Sequence, residues 1–278
     1  MQPVQDLQVP LRPCPICQGR QFQQITVTEL ERKVFLSACK HCGHEFINPL
    51  PLSSSEIEQY YQNAQEDFQH EYMDDPSRAP DFLVNQRFLR YFHPNGKKLL
   101  DFGCGKGQFC ALAQQNGFQA FGYDLAHDLV QIGKNKGRSL YTGDFTRFAK
   151  KQGPFDFIHS DQVFEHLVDP VSVLEKLKSV LTPSGILCLS VPLRESFLHE
   201  YRFMEHLSYF SESSLKRLLT QAHFSILHCR KGLPFVHRYY RRLGRIPPPI
   251  WVHFWEKLTS LGGVYGWSLV IFARQKKE

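Results

Sequence analysis

No stretch of this chain is both long and apolar enough to cross a bilayer, which takes about 20 residues. The opening residues, MQPVQDLQVPLRPC, lack a basic start followed by an apolar run, so no signal peptide is expected. Both absences make a cytoplasmic protein the expectation. Acid is missing from residues 213–255, where Lys216, Arg217, Arg230, Lys231, Arg238, Arg241, Arg242 and Arg245 all fall. Most of the net charge of +6 is therefore a local patch. Such a patch suits phosphates, nucleic acid or anionic lipid head groups, or is simply a solvated surface. The two common phosphate-binding loops are also missing. The glycine segment LLDFGCGKGQF (99–109) has no Gly-Lys-Ser/Thr ending, and Gln108 stands where a dinucleotide fingerprint needs its third glycine.

What is present bounds the fold. A chain of 278 residues with 42% apolar content can bury one large core and a small appendage, which excludes wholesale disorder. Of the eight cysteines, four sit in two close pairs, CPIC at 14–17 and CKHC at 39–42. In a reducing compartment these are not expected to be disulfides. Each pair places two thiolates on one tight turn, and two such turns supply four soft ligands in the tetrahedron that Zn²⁺ prefers. Cys14, Cys17, Cys39 and Cys42 are the expected ligands of a structural Zn²⁺ in a ribbon over residues 1–50. His41 and His44 are bystanders to a site that four thiolates already close.

A helix is expected to begin after the ribbon. Ser53 and Glu56 have capping-box spacing, and Leu52 and Ile57 have staple spacing. Tyr60 and Tyr61 fall on that helix. A second helix is predicted over 81–92, ended by His93-Pro94-Asn95-Gly96. Residues 51–95 thus read as a helical connector that serves as a lid over the mouth of the next domain. From residue 96 to 278 strand and helix patterns alternate: KKLLDFG, QAFGYDL, SLYTGDF, FDFIHSD and GILCLSVP are separated by helical segments, and SILHCRKG and SLVIFARQ close the chain. Short crossovers of this kind require an α/β fold with a parallel sheet and helices on both faces.

The residues LLDFGCGKGQF, FGYDL, TGDF and FDFIHSDQVFEHLVDP together resemble the class I S-adenosylmethionine-dependent methyltransferases. That resemblance implies a Rossmann-like, seven-stranded, mostly parallel sheet with S-adenosyl-L-methionine as cofactor. It implies that the loop of Asp101, Gly103, Cys104, Gly105 and Gly107 lets the backbone approach the methionine part of the cofactor. It further implies that Asp124, next to Leu125, holds the ribose hydroxyls, and that Asp144 meets the adenine amino group with Phe145 flanking the ring. Ser160, Asp161 and Gln162 fall where the fourth strand opens into the site. The Cys-rich ribbon ahead of such a core is similar to a zinc-bearing bacterial subgroup that includes sugar C-methyltransferases and related tailoring enzymes. Many of those carry Tyr-His-Glu-His before Ser-Tyr-Phe. Here the segment reads Phe203-Met204-Glu205-His206, so only the Glu-His pair is kept.

Methyl transfer from a sulfonium mainly needs the acceptor held in line, with a base where the acceptor must lose a proton. His206 is the first candidate base, Glu205 its orienting partner and His166 the second candidate. The segment 233–263 interleaves aromatics with arginines and is longer than a hairpin needs. It reads as an insertion that forms a substrate lid, a contact for an anionic or lipid-linked acceptor, or a nucleic-acid contact. The leading expectation is a methyltransferase (EC 2.1.1.-) acting on a small-molecule acceptor such as a natural product, sugar or lipid-linked compound. An RNA methyltransferase and a non-catalytic cofactor-binding scaffold are the alternatives. Against amino-group methylation, SDQVF occupies the place of an Asn/Asp-Pro-Pro-Tyr/Phe motif.

Overall fold

A computed structural model of the chain describes residues 11–29, 32–63, 97–194, 206–231 and 268–276. The expected helix over 81–92 and its break, the connector beyond residue 63, the 233–263 insertion and Glu205 lie outside the described residues.

Strands β1 (Phe22–Glu29) and β2 (Arg32–Cys39) pair antiparallel, and β3 (Glu45–Ile47) continues the sheet on β2. Helix α1 (Ser54–Gln62) starts where the capping spacing places it. The Ser53 hydroxyl accepts from the Glu56 N–H, and the Glu56 carboxylate accepts from the Ser53 N–H at 2.8 Å, so two of the end's otherwise unpaired donors are satisfied.

The alternating part follows as β4 (Lys98–Phe102), α2 (Gln108–Gln115), β5 (Gln119–Tyr123), α3 (His127–Asn135), β6 (Leu140–Tyr141), α4 (Phe145–Gln152), β7 (Phe155–Asp161), α5 (Pro170–Ser179) and β8 (Leu181–Pro192). After these come β9 (Ser208–Tyr209), α6 (Glu212–Gln221), β10 (Phe224–Lys231) and β11 (Ser268–Gln275). The large sheet has the order β10-β11-β8-β7-β4-β5-β6. It is parallel from β6 to β8, and β11 runs antiparallel to both its neighbours. This is the α/β, mostly parallel seven-stranded architecture the alternation predicts.

Consecutive residues explain why its strands are apolar throughout. Leu99 and Phe157 pack into the core on one face, while Leu100 and Ile158 pack into the core on the other. Side chains alternate across a strand, so a sheet covered on both faces needs apolar residues at every position. The chain leaves β4 toward β5 and β6, then returns to add β7 on the other side. In open sheets of this kind ligands bind at such a reversal, outside the carboxyl ends of the strands.

Three elements differ from expectation. Helix α4 has no counterpart in the pattern analysis. Asp144 caps it by accepting from the N–H groups of Thr146 and Arg147, and Phe148 and Ala149 bury its inner face. Strand β8 begins ahead of the GILCLSVP stretch and takes in Pro183-Ser184-Gly185. The register jumps there from Phe155↔Leu181 to Phe157↔Ile186, so the extra residues bulge out. The two-residue strand β9, too short to carry a periodic signal, pairs with β3 and so joins the N-terminal sheet. Packing also runs across residue 50: Cys14, Ile16, Cys39 and Phe46 share one core with Leu100, Leu187 and Leu215.

Candidate active site

The glycine loop leaves β4 with Gly103 at φ +81° and Gly105 at φ +50°, backbone conformations that side chains disfavour. A Cβ on Gly103 would lie 2.2 Å from Val163 Cγ2, so glycine is also required by space. Around Gly105 nothing among the described residues comes within 4 Å of such an atom, which leaves room there for a ligand to approach the backbone. Gly107 is the left-handed cap of α2 and lies against Leu140, and Cys104 is buried below the loop.

Asp124 stands at the end of β5. Its carboxylate accepts from the N–H of Gly105 at 2.7 Å and from the N–H of Ala126 at 2.9 Å. Desolvation nevertheless raises its pKa. Each oxygen retains a lone pair, so the group can take two further donors. Leu125, half-buried, accepts through its carbonyl from the Thr142 hydroxyl. Asp144 uses one oxygen as a helix cap. Phe145 packs edge-on against Phe102 and Tyr123, and the Tyr123 hydroxyl donates to the Gly143 carbonyl, tying this loop down.

Asp101 is placed differently from the other loop residues. It is buried, and its carboxylate lies 2.8 Å from His159 Nδ1. The two residues face each other in the β4–β7 register, and the His159 ring stacks on Phe109 with centroids 3.8 Å apart. His159 was not singled out from the sequence. Its signal is a histidine inside the apolar run FDFIHSD, opposite an equally isolated acid.

At the end of β7 the Ser160 hydroxyl, Asp161 Oδ1 and Gln162 Nε2 are buried and have no hydrogen-bond partner among the described residues. Gln162 adopts φ +55°. Burial of unpaired polar atoms costs on the order of 1–3 kcal/mol each. Three such atoms fall at one strand end, where a polar ligand would satisfy them. The donor and acceptor set is the right one for the ammonium and carboxylate of an amino acid.

Just beyond, Glu165 is buried, and burial pushes its carboxyl well above the usual range. His166 Nδ1 lies 2.9 Å from the Tyr61 hydroxyl, and its Nε2 lies 3.7 Å from Glu165 Oε1. The N–H of Leu207 donates to the Glu165 carbonyl at 2.7 Å, which brings His206 beside His166 with ring centroids 5.0 Å apart. The two candidate bases thus meet in one cluster.

The four cysteines of the N-terminal sheet converge as well, with all four Sγ atoms within 4.8 Å of one another. Cys14 and Cys42 are 3.5 Å apart, as are Cys17 and Cys39. Four thiolates about 2.3 Å from a shared Zn²⁺ would sit about 3.8 Å apart, so the cradle fits that ion. Gly19 keeps the cradle open, since a Cβ there would press both Cys17 Sγ and Cys39 Sγ at 3.3 Å. His41 instead meets the Arg217 guanidinium at 2.8 Å. His44 is buried against Phe46 and Phe210 and bonds the Ser208 hydroxyl, with its pKa lowered by burial to about 3.

Comparison with known proteins converges on one family. Residues 68–229 match the family described as methyltransferase domain. The C-methyltransferase NovU of Streptomyces niveus is 28% identical over 130 residues, which is 44% of this chain and 31% of that protein. A ubiquinone biosynthesis O-methyltransferase of Xanthomonas axonopodis is 31% identical over 129 residues, covering 42% of this chain and 53% of that one. The matches therefore span about half or less of the curated relatives' length. In fold, the chain is similar to the 1,6-didemethyltoxoflavin-N1-methyltransferase of Burkholderia thailandensis, solved with bound 1,6-didemethyltoxoflavin and S-adenosylhomocysteine. That likeness has a TM-score of 0.50 at 17% identity and covers 84% of this chain and 96% of that one.

Proposed function

The chain belongs to the methyltransferase-domain family, and from that membership we propose that it moves a methyl group from S-adenosylmethionine to a small-molecule acceptor. The observation that carries the reading is the carboxyl edge of the sheet. The open glycine loop, the Asp124 carboxylate and the unpartnered atoms of Ser160, Asp161 and Gln162 all fall at the ends of β4, β5 and β7. The names of the relatives, a C-methyltransferase, a quinone O-methyltransferase and an N-methyltransferase of a small heterocycle, all support a small acceptor over RNA.

When bound, S-adenosylmethionine supplies an electrophilic methyl group on a sulfonium. The protein's task is placement. Asp124 accepts from the ribose hydroxyls with its remaining lone pairs, which replaces some of the solvation it loses by burial. Asp161 would accept from the ammonium, and the Gln162 amide would donate to the carboxylate. Asp144 keeps one oxygen for the adenine amino group. Asp101, held by His159, fixes the root of the loop rather than the ligand itself. Glu165, His166 and His206 form the polar group past the end of β7 that meets the acceptor. Cys14, Cys17, Cys39 and Cys42 hold one structural Zn²⁺. That closed site leaves no position for substrate, so its role is to hold the small sheet and, through β3 and β9, the segment carrying His206.

Calorimetry with S-adenosylmethionine, followed by labelled methyl transfer into small-molecule and RNA fractions of extracts, tests the reading. Label in the small-molecule fraction is expected. Label confined to RNA, or binding without any product, overturns it.

A further inference from the structure

Glu165 is 1% exposed, and neither of its carboxylate oxygens has a hydrogen-bond partner among the described residues. Burying an acid in this way is costly unless something cationic meets it. His166 Nε2 is 3.7 Å from Glu165 Oε1, too far for a hydrogen bond. Yet one ligand atom each from Glu165, His166 and His206 lie within 4.8 Å of one another. The surroundings hold this arrangement. The Tyr61 hydroxyl, 2.9 Å from His166 Nδ1, fixes the imidazole with Nε2 on the Glu165 side. The Leu207 N–H bond to the Glu165 carbonyl keeps His206 in reach, and β9 anchors that segment to the N-terminal sheet.

We propose that Glu165, His166 and His206 form a binding site for a divalent transition cation, separate from the four-cysteine centre. Two imidazole nitrogens and one carboxylate oxygen suit Zn²⁺, Mn²⁺ or Fe²⁺ rather than the all-oxygen preference of Mg²⁺ and Ca²⁺. Three protein ligands leave coordination positions open, as at catalytic metal sites. The proposal deepens the methyltransferase reading and rests on it for its role. The cation takes a hydroxyl oxygen of the acceptor and lowers its pKa. The hydroxyl proton leaves to water, the oxygen forms the bond to the methyl carbon, and the sulfur keeps the electron pair of the broken C–S bond. The substrate class is then an acceptor with an ionisable hydroxyl.

The test is Mn²⁺ binding to the full chain, read from loss of the hydrated-ion resonance signal, because Mn²⁺ does not favour thiolate sites. About one Mn²⁺ per chain is expected. Glu165→Gln and His206→Ala should each weaken it at least tenfold. Tyr61→Phe, which touches no proposed ligand atom directly, should weaken it about tenfold. Glu165→Gln should melt no lower than the parent in the absence of Mn²⁺, since it removes a buried acid. Absence of Mn²⁺ binding in the parent, or equal binding in Glu165→Gln, overturns the site. S-adenosylmethionine calorimetry on the same samples separates the two claims. Cofactor binding without Mn²⁺ binding sinks the metal site alone, and Mn²⁺ binding without cofactor binding sinks the methyltransferase role alone.

Discussion

The N–H of Leu207 donates to the carbonyl of Glu165 at 2.7 Å, and the carbonyl of Leu207 accepts from the N–H of Ile47 at 3.0 Å. One residue thus connects the cysteine-bearing sheet to the loop after β7. The His44–Ser208 bond and the Arg194–Glu45 ion pair, at 2.8 Å, reinforce the same junction. The N-terminal segment is built into the wall of the candidate site rather than appended to it.

Removing the metal from the four-cysteine centre should therefore disturb acceptor chemistry more than cofactor binding. Metal analysis is expected to give about one Zn²⁺ per chain, falling below a tenth in Cys39→Ser. Methyl transfer should fall at least tenfold in that variant while S-adenosylmethionine affinity changes by less than about threefold. Full transfer activity in metal-free protein would contradict the link through Leu207.

Asp124 offers a cleaner test of the cofactor cradle. Its Asn variant keeps an oxygen for one backbone N–H but loses the charge that two ribose hydroxyls would meet. Hydrogen bonds to charged groups contribute about 1.5–3 kcal/mol, so S-adenosylmethionine should bind roughly tenfold to a hundredfold more weakly. Calorimetry giving an unchanged affinity would remove Asp124 from the site.

Gly103→Ala should destabilise the chain by about 1–3 kcal/mol, from the left-handed backbone and from the 2.2 Å approach to Val163. The double variant with Val163→Ala relieves the second cause and not the first, so it should recover only part of the loss relative to Val163→Ala alone. Urea unfolding of the four proteins measures this, and strict additivity would mean that the two side chains do not meet.

Much of the fold was legible because it rests on local periodicity. Leu99 and Leu100 signal a strand buried on both faces, and Ser53 with Glu56 signals a helix start. The cysteine pairs were legible because spacing alone puts thiolates together. Other features depend on contacts distant in sequence. Nothing near Ser208 announces pairing with Phe46, and nothing near His159 announces Asp101 in the neighbouring strand. The short helix α4 was hidden because TGDF reads as a strand end, although Asp144 is also a good cap. The meeting of His166 with His206 is likewise a product of the fold, since forty residues of chain separate them.

The Asp101–His159 pair yields the last prediction. Both side chains are almost wholly buried, at 6% and 4% exposure, and their closest approach is 2.8 Å. Taking away one partner leaves the other as a buried polar group short of a hydrogen bond, which typically costs about 1–3 kcal/mol. His159→Ala also removes the ring that stacks on Phe109, so its loss should fall at the upper end. Asp101→Asn, which keeps an acceptor for the imidazole, should lose much less. If Asp101 acts by fixing the loop root, Asp101→Asn should leave S-adenosylmethionine affinity within about threefold of the parent. If it touched the cofactor directly, affinity would fall with the charge. Calorimetry beside urea unfolding of the two variants distinguishes an acid that supports the glycine loop from one that reads the ligand.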